Sequence, residues 1–221
     1  MGLLDDLKKQ AETVQSQQIS KSAMREEMLQ QVDEKMKLSF QYLNELLKHL
    51  VVLKPVNPVK FSVPGVIDLQ NLQYGESFID SRKSRVANAD VYDLIQIYLK
   101  WGSPATKVTL DRDMPATAQK VRDALFASGI KFVEDEIKSA RSSITGWKFG
   151  IESALVTDIL IKPDLDQGRL MFRAKNLLRL GIDDFAVPAP EMSEGVLEEF
   201  AKTLLGHPSA FQKYRTVSPL R

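Results

Sequence analysis

Strict alternation of apolar and polar positions runs across residues 147–162. One set reads Trp147, Phe149, Ile151, Ser153, Leu155, Thr157, Ile159 and Ile161, and the set between reads Lys148, Gly150, Glu152, Ala154, Val156, Asp158, Leu160 and Lys162. Period-two spacing gives the first set a dry face and the second a largely wet one. The stretch is long for a strand, and it predicts one strand inside an antiparallel sheet on which other elements pack.

A different period governs residues 2–50, which contain no proline and, after Gly2, no glycine. Gln, Glu, Lys, Leu and Met dominate there, all good helix formers. Apolar positions recur at threes and fours, first Leu3, Leu7, Ala11 and Val14, then Met24, Met28, Val32, Met36, Phe40, Leu43, Leu47 and Leu50. The polar stretch 15–22 between the two runs leaves room for a break. A helix of that length, at ~1.5 Å per residue, would reach ~70 Å and overrun its own domain, so the pattern predicts that part of it projects or pairs with another chain.

Pro55, Pro58 and Pro64 end the helical pattern and open a connector with a short edge strand at 59–63. Strands are expected at 76–86, where the signal is weak, at 91–101 and at 106–112. Asp113 ahead of Pro115 marks a helix start, and Gly129 its end. A strand at 131–138 carries Glu134 and Glu136 toward water. After 147–162, turn formers at 163–168 reverse the chain into a strand at 169–178. Residues 179–190 read as irregular, and Ser193 begins a last helix stopped by Gly206 and Pro208. The fold class predicted is α+β: a long amino-terminal helix, then a mainly antiparallel sheet of about five or six strands with two further helices on one face. Residues 1–50 form the helix, 51–206 the α+β domain and 207–221 a polar tail.

Composition narrows the functional classes. Hydrophobic residues make up 43% and charged residues 27%, values of a globular chain, and the formal charge of +1 supplies no global field for nucleic acid or anionic membrane. Absence of cysteine removes disulfides and thiolate chemistry, and two histidines in separate elements, His49 and His207, give no zinc motif. The amino terminus lacks a signal-type apolar run, and no apolar stretch approaches the ~20 residues of a membrane span. A cytoplasmic location is expected.

Two sets of residues qualify as candidate binding groups. Arg169, Arg173, Lys175 and Arg179 share one parity, so an extended strand would show all four on one face as a phosphate-binding stripe. A register setting Lys162 opposite Arg169 would also place Asp158 opposite Arg173 and Glu152 opposite Arg179, the pattern of a solvated hairpin, which argues against nucleic acid. Tyr92, Tyr98, Trp101, Trp147 and Phe149 would suit the lining of an apolar cavity for a small ligand or lipid between sheet and helices. Asp164, Asp166 and Gly168 lack the remaining ligands of a calcium loop. No catalytic, metal or cofactor motif and no internal repeat is present. The sequence therefore points to a non-enzymatic interaction protein that uses its long helix for self-association or partner binding, with a small-ligand domain as the alternative.

Overall fold

The computed structural model describes residues 3–86, 89–103 and 108–216, with side chains at Gln15 and from Lys21 onward. α1 (Leu3–Leu53) is one continuous helix of 51 residues, unbroken through 15–22. Val32, Met36, Ser39, Leu43, Leu47 and Leu50 are buried along it at steps of three and four, so one stripe faces the core. Ser39, the polar member, donates its hydroxyl to the Lys35 carbonyl (2.8 Å), which makes its burial tolerable. Residues 21–27 are exposed.

Three short strands follow: β1 (Val56–Asn57), β2 (Phe61–Val63) and β3 (Ile67–Leu69). β2 and β3 form a separate antiparallel ribbon. The weakly signalled region becomes a 15-residue strand, β4 (Leu72–Val86), paired along its length with β5 (Ala89–Gly102). Next come β6 (Val108–Arg112), α2 (Pro115–Ser128), β7 (Phe132–Lys138) and β8 (Ile144–Ile151), and the three strands form an antiparallel sheet in the order β6-β8-β7. α2 buries Ala118, Val121 and Leu125. Glu134 does not face water as expected: Arg122 of α2 reaches it through Nε at 2.7 Å, and the half-buried pair raises the guanidinium pKa.

The remainder is β9 (Ala154–Asp164), β10 (Arg169–Lys175), β11 (Ile182–Pro188), α3 (Glu194–Leu204), a 3-10 turn at Ala210–Tyr214 and β12 (Arg215–Thr216). A seven-stranded antiparallel sheet runs β1-β4-β5-β9-β10-β11-β12. The architecture is α+β, with a larger sheet than the pattern suggested and a different helix arrangement. α1 and α3 share the inner face of the large sheet, and α2 serves the small one.

The long alternating stretch is two strands in two sheets, not one. At the junction the Glu152 N–H donates to the Lys131 carbonyl (2.9 Å) and the Ser153 carbonyl accepts from Ser103 (2.8 Å). Other segments thus satisfy the backbone where β8 leaves the small sheet and β9 enters the large one. Alternation survives the break because both inner faces contribute to one core: Phe149, Ile151, Leu155, Ile159 and Ile161 are all buried in it.

The β9–β10 register also differs from the expected one by two residues. Asp164 lies opposite Arg169, Leu160 opposite Arg173 and Asp158 opposite Lys175. β11 was missed because Asp183 and Asp184 resemble a turn, yet Asp183, Phe185 and Val187 alternate inward. The tail is likewise part of the fold as far as 216; 217–221 lie outside the described residues. Phe211 is fully buried against Phe172, Phe185 and Phe200, with ring centroids 4.9–5.5 Å apart. Glu199 fastens this turn to α3: it accepts from Lys202 (2.7 Å) and from the Ala210 N–H (2.6 Å), and these bonds hold its carboxyl at a pKa of about 2.

Phe149→Ala in the small sheet and Ile159→Ala in the large one should each cost about 2–5 kcal/mol in denaturant melts. Lys148→Ala and Glu152→Ala, on exposed positions, should stay within about 0.5 kcal/mol.

Candidate functional site

The outer face of the large sheet is built from residues that the register places in rows. Phe78, Tyr98, Asp158, Lys175 and Ile182 stand side by side on β4, β5, β9, β10 and β11. Asp80, Gln96, Leu160, Arg173 and Asp184 form the adjacent row. Phe78 and Ile182 are exposed, while Tyr98, Asp158 and Gln96 are half-buried, so the face is mixed rather than simply wet.

Three of the four residues in the basic stripe engage carboxylates. Arg169 donates to Asp164 (2.8 Å) and Arg173 to Asp184 (3.0 Å), the latter bond raising the guanidinium pKa further. Arg179 lies beyond the end of β10 and does not continue the outer row. It reaches the inward Asp183 (2.9 Å), whose side chain is only 2% exposed, and Arg215 of β12 binds the same oxygen. Two cations thus offset the cost of one buried carboxylate. Lys175 has no hydrogen-bonded or ion-paired side chain among the described residues. With the guanidiniums neutralised in this way, the stripe is not a positive groove.

The five aromatic positions do not meet in one cavity. Trp101 is fully buried and donates Nε1 to the Thr157 hydroxyl (3.2 Å), which donates onward to the Asn176 carbonyl (2.9 Å). Tyr92 packs on Phe40 of α1, its ring under Lys83, while its N–H donates to Asp33 (2.6 Å). Trp147 and Phe149 belong to β8 in the small sheet, beside Arg122 and Phe132. Of the five, Tyr98 lines a surface crevice of about 200 Å³, together with Gln96, Gly129, Val156, Asp158, Lys175 and Asn176. Sequence reasoning missed Gln96 and Asn176. Gln96 lies two residues from Tyr98 on the same face of β5, and the β5–β9 and β9–β10 registers bring Asp158 and the end of β10 at Asn176 beside them.

A second concavity, of about 400 Å³, lies where α1 leaves the sheet. Met24, Met28 and Gln31 form its helical side and Gly168, Pro188 and Pro190 the other. Gly168 has φ 60°, so the backbone favours glycine, and a Cβ there would meet the Met28 Sδ at an ordinary contact distance of 3.4 Å. Met24 remains 65% exposed.

Among the described residues no group of three or more His, Cys, Asp or Glu side chains could hold a metal ion, and no helix is long and apolar enough to cross a membrane. No protein-family model, curated protein or solved structure matches the chain.

Replacing Arg179 or Arg215 singly by Gln leaves Asp183 one guanidinium, so each change should cost about 1 kcal/mol or less. The double replacement strands a buried carboxylate and should cost about 3–5 kcal/mol, a non-additive result readable in urea melts.

Proposed function

We propose that this is a non-enzymatic cytoplasmic interaction protein that self-associates through the amino-terminal half of α1, with the α+β domain as its folded platform. The observation that carries the reading is the mismatch between helix and domain. At ~1.5 Å per residue α1 is ~76 Å long. Among the described side chains its buried stripe begins at Val32, with Met28 half-covered ahead of it. The helix nevertheless continues to Leu3, and the sequence there repeats apolar residues at Leu3, Leu7, Ala11 and Val14. An isolated helix of modest propensity gains little from its own hydrogen bonds and is chiefly stabilised by packing of an apolar stripe. A second copy supplies that packing at a matching length.

Sedimentation velocity of the whole chain and of a chain starting at Ser22 tests this. The whole chain should show a concentration-dependent mass above 24.9 kDa, and the truncated chain should be monomeric with a cooperative melt. A monomeric whole chain, or an oligomer that survives truncation, would sink the proposal.

A further inference from the structure

The crevice on the outer face of the large sheet has an arrangement that surface ion pairs do not explain. Asp158 and Lys175 are direct cross-strand partners, the geometry in which opposite charges ordinarily join. They form no ion pair. Gln96 donates its amide to the Asp158 Oδ1 (3.0 Å), which leaves Oδ2 without a partner among the described residues. The Lys175 ammonium instead lies at the carboxyl end of α2, 3.5 Å from where a Cβ on Gly129 would stand. The negative end of the helix dipole favours a cation there. Gly129 has φ 67° and caps α2, so the same glycine that ends the helix leaves room for the ammonium. The Tyr98 hydroxyl has no partner among the described residues either.

Beneath these groups the floor is rigid. Asn176, at φ 54°, donates its amide to the Val156 carbonyl (3.0 Å) and accepts from the Gly181 N–H (3.0 Å). The buried chain from Trp101 through Thr157 to the Asn176 carbonyl joins β5, β9 and the end of β10 under the crevice. The backbone that carries the carboxylate and the ammonium is thus a fixed support, which limits the reorganisation that binding requires.

From this geometry we propose that the crevice binds a free α-amino acid, its ammonium on the Asp158 Oδ2 and its carboxylate on Lys175. A simple anion meets Asp158 and a simple amine meets Lys175, so the charge pair selects against both and favours a molecule that carries the two charges together. The volume of about 200 Å³, below the ~300–1,000 Å³ of sites for drug-sized ligands, suits a molecule of this size. Tyr98 and Val156 offer the side chain an aromatic and an aliphatic wall. This site is separate from α1, and its occupancy does not depend on self-association.

Amide chemical shifts of the whole chain, titrated with the standard L-amino acids one at a time, test the proposal. At least one should give saturable shifts centred on Gln96, Tyr98, Gly129, Asp158 and Lys175. Blocking either end of that ligand, as its N-acetyl form or its primary amide, should weaken binding by about tenfold or more. Lys175→Met and Asp158→Asn should do the same with an unchanged melting midpoint, while Lys148→Met should bind as the native chain does. Lys175 is exposed and unpartnered, so its variant decides the matter even if Asp158→Asn loosens the sheet. Absence of saturable shifts with every amino acid, equal binding of the blocked forms, or unaltered binding by Lys175→Met would overturn the assignment.

Discussion

Burial of one stripe of α1 against the inner face of the seven-stranded sheet is the contact on which the rest depends. Val32, Met36, Leu43, Leu47 and Leu50 each contribute about 1.5–3 kcal/mol of transfer free energy by leaving water. They also supply the ceiling under which β4, β5, β9 and β10 can expose a mixed outer face. α3 and the 3-10 turn after it extend that ceiling over β10 and β11 through Phe200 and Phe211 against Phe172 and Phe185. The stripe stops near Met28 while the helix does not. The same element that closes the core therefore continues as helix past its described buried side chains, and the proposed self-association uses that length.

Polar groups inside the fold set what the surface can present. The chain Trp101, Thr157 and Asn176 joins three strands without an unsatisfied atom, and among the described residues no buried side-chain nitrogen or oxygen lacks a partner. Asp183 is the costlier case, a buried carboxylate held by Arg179 and Arg215. Its partners come from the β10–β11 turn and from β12, so it locks the carboxy-terminal edge of the sheet. On the outer face Arg169 and Arg173 are bound to Asp164 and Asp184. The separation of Lys175 from Asp158 follows from that economy and from the α2 cap at Gly129.

Much of the fold was legible because period and breakers act locally. The steps of three and four from Val32 to Leu50 mark the buried helix face, Gly129 marks the α2 cap, and alternation from Trp147 to Ile161 identifies the inward residues. What escaped were features set by distant partners. Nothing near Glu152 announces that the chain changes sheets, because the groups that receive its backbone, Lys131 and Ser103, lie far away in sequence. Asp183 hid β11, since an acid at an inward position is stable only beside arginines whose proximity the sequence does not show. The candidate site was legible residue by residue, as Tyr98 and Lys175, but not as a crevice. Its shape arises from the register of three strands and the end of a helix.

The division of α1 into a part that closes the core and a part that meets a second copy is the central claim. Native-state hydrogen exchange at several protein concentrations measures it residue by residue. Amides at 32–50 should exchange only through global unfolding, at rates independent of concentration, and those at 3–21 should gain protection as concentration rises. Protection that is uniform from Leu3 to Leu53 and insensitive to concentration would contradict the account.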